Sequence, residues 1–484
     1  MNLEQIAAFA KSKGYIIPNS NIYGNFKGTF DFGPNGCEIR NNILKSYRNY
    51  FIIPYQNIVE QHGAIISDQK VWKAAGHLEK FNDPVAINTK GLRYRADHLI
   101  QENVDQDTEG KTCEDLLKII EDNEILYEGD KIVSVEPANL MFKTTTLNGT
   151  DCYLRPETCQ SIFINTKLIS TINRLQLPFG IAQHGKVFRN EIAPKNFIFR
   201  CREFEQLELE FFFNPESKSG PNEVFNNIRI NCLFSDGTEE SIFPTDLVRR
   251  CGIETWHAYW ITKMINWLNM KIGLKINNLR LREHNKKELA HYSSSTFDIE
   301  YKYPIGQSLE FKELAGVTNR GNYDITQHAC ASNQNLKMKC PDTKEKIYPH
   351  VIEPSIGLER LFLAILCDAY EYDEQRGYIV LHLSSDICPV EYGVFPLPSK
   401  NYFKDKFYEK ARDVQKKLIE KQKTTYYDQV GSIGRRYARQ DEIGTKWCIT
   451  IDESTLDDDT VTVRDRDTKD QYRIKIEDLI NRIE

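Results

Sequence analysis

The sequence lacks the long apolar runs and the paired cysteines that mark membrane spans, disulfide frameworks and zinc ribbons. No apolar stretch approaches the ~20 residues that cross a bilayer, so we expect no integral membrane protein. The 12 cysteines stand singly, without a Cys-x-x-Cys pair. His328, Cys330 and Cys340 come nearest to a ligand group but lack a fourth ligand. This pattern predicts reduced structural thiols and a cytoplasmic chain.

A general excess of positive charge is missing as well. The net charge of −6 argues against wholesale coating of nucleic acid by charge. A local basic stretch exists between Lys400 and Gln440, with 12 Lys and Arg against 5 Asp and Glu. By itself, such a stretch indicates either a solvated helix face or a contact surface for nucleic acid.

The 484 residues allow two to four domains at about 100–200 residues each. The first 18 residues contain acidic Glu4 and no long apolar segment, so they predict an amphipathic helix of the fold, not a targeting peptide. Apolar spacing predicts further helices at residues 38–52 and Thr255–Leu268. Strand patterns cover residues 180–213, with a break at Ala193–Asn196, and recur at Ser308–Glu313.

After about residue 376 the chain changes character, because short strands alternate with a basic helix over residues 403–423. Such alternation predicts a small α/β domain. We therefore predict a first domain over residues 1–375, with insertions near 95–150 and 215–300. The second domain covers residues 376–484.

The strand pair from Phe188 to Phe213 carries the clearest chemistry. Arg189 and Glu191 are two residues apart, so they point to one face of a strand. On the return strand, even spacing puts further polar side chains on one face, namely Arg200, Arg202, Phe204, Gln206 and Glu208. Unpaired buried charge costs several kcal/mol. This face therefore needs a polar ligand or solvent.

ATP suits such a face. Guanidinium groups grip phosphate oxygens through directed, paired hydrogen bonds, and an aromatic ring offers a stacking surface for adenine. A second phosphate-binding feature is the segment from Pro354 to Arg360, which we expect to open a helix, where free N–H groups favour anions. The alternative for the strand pair is a purely structural one, an exposed amphipathic hairpin.

These segments resemble the signature motifs of class II aminoacyl-tRNA synthetases. FRNE at 188–191 with RCREFEQLE at 200–208 is similar to the second motif, and PSIGLER at 354–360 is similar to the third. Six further blocks are similar to dimeric glycyl-tRNA synthetases: TFDFGPNGCEIRNN at 29–42, KVWKAAGHLEKFNDP at 70–84, RPET at 155–158, ELAHYSSSTFDIEY at 288–301, VGSIGRRYARQDEIGTKWCITID at 430–452 and DDTVTVRDRDT at 458–468. The first class II motif should lie within residues 38–66.

The resemblance implies an α+β catalytic domain, built on an antiparallel sheet flanked by helices, and a C-terminal α/β anticodon-binding domain. It implies a cytoplasmic homodimer without a membrane attachment. The implied activity is that of a glycine–tRNA ligase, which uses ATP with Mg²⁺ to form glycyl-adenylate and then charges the 3′ end of tRNA(Gly). Since all competing amino acids are larger than glycine, we expect no editing domain.

The family's functional residues carry over as follows. Arg189 and Arg360 match catalytic residues, and Glu313 is the best single candidate for a magnesium ligand. ATP-binding positions are Arg189, Asn190, Glu191, Phe199, Arg200, Cys201, Arg202, Glu203, Phe204, Glu313, Leu314, Gly357, Leu358, Glu359 and Arg360. Glycine-binding positions are Arg95, Glu157, Phe204, Glu205, Gln206, Leu207, Glu208, Arg320, Glu353, Pro354, Ser355, Ile356 and Gly357.

Within this set the resemblance implies distinct roles. Glu157, Glu208 and Glu353 surround the glycine ammonium group, and Ser355 narrows the pocket at the α-carbon. Two alternatives remain from the sequence. One is a non-catalytic, nucleic-acid-binding relative, which could lose the ATP-binding arginines that are present here. The other is a synthetase for threonine, proline or histidine, against which the glycyl-type blocks argue.

Overall fold

The structure is a computed structural model that describes residues 2–104, 106–108, 110–217, 220–221, 228–306, 308–397 and 404–482. Several positions of the sequence predictions lie outside the described residues. These are 105 and 109 of the expected first insertion, 218–219 and 222–227 of the expected second insertion, residues 400–403 of the basic stretch, and residues 1, 307, 398, 399, 483 and 484 of the expected domains.

Fifteen helices are found in the described part of the chain. They are α1 Leu3–Ser12, α2 Pro34–Phe51, α3 Gln69–Ala74, α4 His77–Lys80, α5 Ala96–Asn103, α6 Cys113–Asp122, α7 Cys159–Ile172, α8 Leu247–Cys251, α9 Thr255–Asn266, α10 Tyr323–Ser332, α11 Leu358–Ala369, α12 Lys404–Glu420, α13 Ile433–Glu442, α14 Glu453–Asp458 and α15 Ile476–Arg482. The predicted helix at 38–52 is thus α2, which begins earlier because Pro34 suits a first helical turn.

The strands in the first half are β1 Ile16–Pro18, β2 Phe30–Phe32, β3 Ile58–Glu60, β4 Ile66–Asp68, β5 Asn82–Asn88, β6 Arg93–Arg95, β7 Leu126–Tyr127, β8 Asp130–Asn139, β9 Phe142–Thr145, β10 Asp151–Leu154, β11 Phe179–Phe188 and β12 Glu203–Phe213. Those in the second half are β13 Ile230–Leu233, β14 Glu239–Ile242, β15 Leu279–Glu283, β16 Ser295–Tyr303, β17 Glu310–Gly321, β18 Met338–Lys339, β19 Lys346–Ile347, β20 His350–Gly357, β21 Tyr370–Asp373, β22 Tyr378–Leu381, β23 Tyr392–Pro396, β24 Thr425–Tyr427, β25 Trp447–Ile451, β26 Thr460–Asp465 and β27 Gln471–Lys475.

A nine-stranded sheet forms the centre of the molecule, in the order β14-β13-β15-β16-β17-β20-β12-β11-β3. Its pairs are antiparallel except β13 with β15 and β11 with β3. The predicted hairpin is the pair β11–β12, with register from Phe179↔Phe212 to Phe188↔Glu203. Helices α2, α9 and α11 bury their apolar faces against one side of this sheet, in the largest core. The antiparallel α+β architecture is confirmed.

The expected insertion at 215–300 needs correction, because this stretch supplies four strands of the central sheet, β13 to β16. Leu279 and Leu281 alternate with Arg280 and Arg282, so one face of β15 is buried in the core. Acidic side chains at buried positions of β16 hid its strand pattern. Helix α9 ends at Asn266, where a π-helical turn over Trp267–Ile272 takes over.

The stretch near 95–150 builds a small separate layer. Helices α5 and α6 pack on a four-stranded sheet of order β6-β5-β8-β7 around a core of their own that includes Ala86, Ile100 and Ile120. Strands β9 and β10 pair with β4 in another small sheet. The predicted short helices are therefore present, but strands that begin at Asn82 belong to the same layer.

The C-terminal part contains a five-stranded sheet of order β24-β23-β25-β26-β27. The first three strands are parallel, and the last two add in antiparallel fashion. Helix α12 buries Phe407, Ala411, Val414 and Leu418 against it, at helical spacing. The lysines of α12 therefore lie away from this buried face, and the predicted α/β character is confirmed.

A buried ion-pair network joins the C-terminal sheet to the segment before it. The carboxylate of Asp441 on α13 is fully buried and accepts hydrogen bonds from Arg464 at 2.8 and 2.9 Å. Arg376 donates to the same carboxylate at 2.9 Å, and Tyr378 donates at 3.0 Å. Because two guanidinium groups converge on Asp441, its charge is central to this contact.

Asp441→Asn is expected to lower the free energy of unfolding by about 3 kcal/mol, because it leaves Arg464 buried without its counter-charge and leaves Arg376 with Asp373 alone. Urea denaturation followed by circular dichroism measures the loss. Glu420→Gln is the matched control, since Glu420 lies in an exposed pair with Lys416 at 3.9 Å. Equal midpoints for the two variants would show that the network does not stabilise the fold.

Candidate active site

A cavity of about 310 Å³ lies over strands β12, β17 and β20 of the central sheet. The β11–β12 connection and the start of α11 close its sides. It brings together 17 of the residues predicted from the sequence: Glu157, Arg189, Glu191, Phe199, Arg200, Cys201, Phe204, Gln206, Glu208, Glu313, Leu314, Glu353, Ser355, Ile356, Gly357, Glu359 and Arg360. Distant chain segments thus converge on one pocket.

Strand alternation explains which side chains face the pocket. Along β12, Phe204, Gln206 and Glu208 line the cavity, whereas Leu207 lies in the core on the opposite side. The register pairs Ser355 on β20 with Glu208 on one side and with a glycine of β17 on the other. Ser355 therefore stands beside the Glu208 carboxylate at the floor of the pocket.

One end of the cavity is cationic. The guanidinium of Arg189 lies 5.3 Å from the ring centre of Phe204. The Nη1 atom of Arg200 is buried and makes no hydrogen bond within the described residues. Arg360 lies over the ring of Phe199 at 4.5 Å. A buried donor without a partner calls for an acceptor from a ligand, so this end fits an anion beside an aromatic surface.

The other end is acidic and buried. Glu157 lies 3.1 Å from His77 Nε2. Glu208 accepts hydrogen bonds from the backbone N–H of Thr158, at 2.9 Å, and from its hydroxyl. Glu353 accepts a hydrogen bond of 2.6 Å from Arg320 Nη1. Three carboxyl groups from three chain segments therefore meet with few compensating cations.

The surroundings of these carboxyls set their protonation. Burial raises the pKa of Glu208 to about 8, and the charges of Glu353 and Glu157 add to the effect. Burial also raises the pKa of Glu353, against the opposing field of Arg320. Although burial favours the neutral form of Glu157, contact with His77 holds its pKa well below the usual range. Glu157 is thus ionised in the empty pocket, and Glu208 holds a proton at neutral pH.

Carboxylates also line the side of the pocket towards β16. Glu313 pairs with Arg360 at 2.8 Å, and the charge of Arg360 lowers the pKa of Glu313. A carboxyl oxygen of Asp298 lies 2.6 Å from His284 Nε2, which is hydrogen-bond distance. Together with Glu288, these oxygens are hard ligands of the kind that Mg²⁺ prefers, but Glu313 is paired with Arg360 and Glu288 with Arg282.

The structure places nine other predicted residues outside the residues that line the cavity. These are Arg95, Asn190, Arg202, Glu203, Glu205, Leu207, Arg320, Pro354 and Leu358. Leu207 and Leu358 face the apolar core. Glu205 points to the opposite face of β12, where Arg40 binds both of its oxygens at 2.6 Å. Alternation along the strand accounts for these positions.

The arginines outside the cavity have other partners. Arg95 pairs with Asp83 and Asp97, and Asp83 lies in the field of Glu191, so Arg95 sits towards the cationic end and away from Glu208. Arg202 donates to the Lys27 carbonyl at 2.9 Å and lies over Phe26. It leaves the pocket face because β12 begins only at Glu203. These positions correct the expected places of Arg95 and Arg202.

Arg320 is buried beneath the acidic end. It donates to Asp324 at 2.8 and 2.9 Å as well as to Glu353, and it lies 3.8 Å from the ring centre of Tyr292. Its guanidinium therefore holds Glu353 in place. The segment from Pro354 needs a further correction, because β20 runs to Gly357 and helix α11 begins at Leu358. Arg360 lies in the first turn of that helix.

Sequence reasoning did not assign roles to His77, Thr158, Tyr292, His284 or Asp298. His77, Thr158, Tyr292 and Asp298 lie inside blocks that resemble the glycyl enzymes, so the resemblance contained a signal for them. His284 lies outside those blocks, and no spacing pattern pointed to its contact with Asp298.

Comparison with known proteins identifies the family of the chain. Residues 142–369 match the family model "tRNA synthetase class II core domain (G, H, P, S and T)", and residues 391–484 match "Anticodon binding domain". Glycine–tRNA ligase of Mycoplasmopsis synoviae is 40% identical over 481 residues, covering 97% of this chain and 96% of the relative. The chain belongs to the glycine–tRNA ligase family.

A second relative supports the family assignment, and a solved structure shows the same fold. The glycine–tRNA ligase of Acetivibrio thermocellus is 40% identical over 499 residues and covers 100% of this chain and 98% of the relative. Prolyl-tRNA synthetase of Cryptosporidium parvum shares the fold, with a TM-score of 0.60, 12% identity and coverage of 99% of this chain and 73% of that one. Membership of the glycine–tRNA ligase family argues against both alternatives, the non-catalytic relative and a synthetase for another amino acid.

Proposed function

We propose that the pocket of this ligase binds glycine at its acidic end and ATP at its cationic end. The observation that carries the proposal is the convergence of Glu157, Glu208 and Glu353, all nearly buried, in one cavity with Arg189 and Arg360. Buried carboxyls need a cationic partner, and an ammonium group supplies one. The two ends together match an amino acid and a nucleotide that react with each other.

At the acidic end, Glu157, Glu208 and Glu353 would surround the glycine ammonium group. Ser355 would lie at the α-carbon, where its side chain leaves no room for a larger substrate. Exclusion by steric clash is efficient, because overfilling a packed site costs about 1–3 kcal/mol or more. This size filter is the reason that the reaction needs no editing domain.

At the cationic end, Phe204 would stack on adenine, and Arg189 would bind the α-phosphate. Arg200 would bind the remaining phosphates with its unpartnered Nη1 atom. Arg360 would lie against the nucleotide from the first turn of α11, where the partial positive charge of the helix end also favours anions. When bound, Mg²⁺ at Glu313 would supply charge neutralisation for the phosphates.

The chemistry then needs no protein nucleophile. The glycine carboxylate attacks the α-phosphorus of ATP, and pyrophosphate leaves with the electron pair of the broken P–O bond. A ribose hydroxyl at the 3′ end of tRNA(Gly) next attacks the glycyl carbonyl, and AMP leaves. The arginines stabilise the charge that builds on the α-phosphate, and the fixed pocket aligns the reacting atoms.

For tRNA, we propose that the C-terminal domain binds the anticodon. The exposed lysine face of α12 and the match to the anticodon-binding model support this assignment. We keep its start near residue 376 as part of the proposal. The hairpin β21–β22 spans this position and contacts the domain through Tyr378 and Asp441.

We also propose that the chain forms a homodimer through the exposed apolar stripe on α7. Ile164, Leu168 and Ile172 are spaced by four residues and are 41%, 59% and 68% exposed. The helix adjoins β3, the outermost strand on that side of the central sheet, since Gln61 after β3 donates to the Ser161 carbonyl. An apolar stripe beside a sheet edge fits a second copy of the chain.

Leu168→Glu is expected to give monomers, because it puts a charge in the centre of the proposed contact. Sedimentation velocity measures the oligomeric state over a range of protein concentrations. Leu147→Glu is the control, since Leu147 is fully exposed elsewhere on the surface. A Leu168→Glu protein that sediments as the parent does would place the contact elsewhere.

Among the described residues, no helix combines the length and the apolar composition that a membrane crossing requires. The cysteines are all free thiols, which fits a reducing compartment. We propose a cytoplasmic location on this basis and because the family charges tRNA.

Glycine affinity is expected to rise about tenfold per pH unit as the pH approaches 8 from below. The sign follows from Glu208, whose pKa of about 8 keeps it protonated in the empty pocket at pH 7. The ammonium group requires its ionised form, so binding at pH 7 releases about one proton. Calorimetric titration in buffers of different ionisation enthalpy measures that proton.

The same titration tests the proposed substrate site. Glu208→Gln has no proton to release, so its glycine affinity should be weak and independent of pH. The control is Glu203→Gln, which changes a carboxyl of the same strand outside the pocket. Proton release that persists in Glu208→Gln would mean that another group faces the ammonium.

A further inference from the structure

One buried carboxyl beneath the pocket has no role in the reaction described above. Glu210 lies on β12 two residues beyond Glu208, on the same face of the strand. It is 0% exposed, and neither of its carboxyl oxygens has a hydrogen-bond partner among the described residues. An unpaired carboxylate in such a place costs several kcal/mol, so the group must be neutral or must share a proton.

The neighbours of Glu210 are apolar or acidic. Across β11 it pairs with Ile181, which is fully buried. On the other side, the pairs Glu208↔Ser355 and Phe211↔Ile352 put Glu210 opposite Glu353. Ligand atoms of Cys159, Glu208, Glu210 and Glu353 all lie within 4.8 Å of one another. This group of four contains no cationic side chain that could neutralise the carboxyls of Glu208, Glu210 and Glu353.

The charge balance of the whole region leads to the same conclusion. The carboxyls that interact here are Glu157, Glu208, Glu210, Glu353 and Asp324, and the other ionisable groups that interact with them include Arg320, Arg155, His77, Cys159, Tyr47 and Tyr292. Even with His77 protonated and a glycine ammonium bound, five carboxylates would exceed the four cations by one. A buried site cannot hold that excess without protons.

We propose that Glu210 is a positioning residue that keeps its proton and donates it, as a single hydrogen bond, to an oxygen of the facing carboxyl pair Glu208 and Glu353. This proposal rests on the function assigned to the pocket. Glu210 then fixes the orientation of the two carboxylates and limits the negative charge that faces the ammonium group. Consistent with this, burial and the charge of Glu353 raise the pKa of Glu210 well above its usual range.

The proposal separates Glu210 from Glu208 in a way that can be measured. Glu208 exchanges its proton for the ammonium group, whereas Glu210 keeps its proton in the free and the glycine-bound enzyme. Glutamine reproduces a neutral hydrogen-bond donor of the same length. Methionine reproduces only the length, and it removes the donor. The two substitutions therefore distinguish a donor from a spacer.

The first experiment compares Glu210→Gln and Glu210→Met with Glu208→Gln in glycine-dependent ATP–pyrophosphate exchange. Glu210→Gln should keep the KM for glycine within about threefold of the parent, and Glu210→Met should raise it about 10-fold to 100-fold with a smaller change in kcat. Glu208→Gln should also raise the KM for glycine. An equally large rise in Glu210→Gln would mean that Glu210 acts as a charge, and parental behaviour of Glu210→Met would remove the positioning role.

The second experiment needs no substrate, so it separates this proposal from the assignment of glycine. The infrared difference spectrum of the free parent enzyme minus Glu210→Gln, at pH 7, should contain the carbonyl band of a protonated carboxylic acid. A carboxylate band in its place would overturn the proposal even if glycine binds. If glycine does not bind but the acid band is present, the assignment of the substrate fails and the protonation of Glu210 stands.

Discussion

Arg189→Gln is expected to lower the rate of adenylate formation about 1,000-fold at saturating substrates. Arg189 lies against the ring of Phe204 and donates through Nε to the Pro156 carbonyl at 3.2 Å, so its remaining donors face the cavity. The charge on the α-phosphate grows as the glycine carboxylate approaches. A donor that stabilises this charge acts on kcat more than on the KM for glycine.

Single-turnover formation of glycyl-adenylate measures this effect directly. Arg202→Gln is the matched control, because Arg202 belongs to the same hairpin but points to Phe26 and the Lys27 carbonyl. Arg202 also donates to the Glu191 carbonyl at 3.1 Å, but its own side chain lies outside the cavity, so the variant should keep a rate within about threefold of the parent. Equal losses in the two variants would mean that the hairpin as a whole, and not the Arg189 guanidinium, supports the reaction.

Ser355→Val is expected to lower kcat/KM for glycine about 100-fold, because the added methyl groups would occupy the space of the α-carbon. Ser355 stands next to Glu208 across the β12–β20 pair, so extra volume there meets the substrate before it meets the core. No other amino acid should gain activity in Ser355→Val, because the substitution makes the pocket smaller.

Ser355→Ala is the control for this site, because it removes the hydroxyl without adding volume. It should retain most of the glycine activity. The thermal midpoints of both variants need to match that of the parent, so that a loss of activity is not a loss of fold. Unchanged activity in a folded Ser355→Val protein would show that Ser355 does not border the glycine α-carbon.

The sequence allowed the prediction of the motifs but not of all their contacts. The hairpin β11–β12 follows from the alternation of polar and apolar residues, and so does the face shared by Phe204, Gln206 and Glu208. Arg202 was assigned to that face by the same rule. The rule failed there because the residues before Glu203 are not yet in a strand, so alternation does not apply.

Long-range contacts limited the prediction of the site. His77 reaches Glu157, and Arg320 reaches Glu353, across separations that no local pattern encodes. Strand β16 was missed because Asp298 and Glu300 are buried and acidic, which hides the usual apolar alternation. Asp298 lines the pocket, whereas Glu300 pairs with Arg280, and functional positions are where sequence patterns depart from packing rules.

The protonation states of the carboxyls were the feature of the site that was hardest to predict from the sequence. Glu208 and Glu157 are both glutamates in motif positions, yet burial raises the pKa of one while His77 holds that of the other low. The difference depends on which neighbour each carboxyl meets in three dimensions. From residue type alone, the two carboxyls would have been assigned the same protonation state.

Amino-acid-dependent ATP–pyrophosphate exchange, measured with each of the twenty amino acids, tests the central claim most directly. The pocket described above predicts exchange with glycine, only background exchange with alanine and serine, and loss of the glycine signal in Glu208→Gln. Exchange that depends on an amino acid other than glycine, or no exchange with any of them in the folded protein, would contradict it.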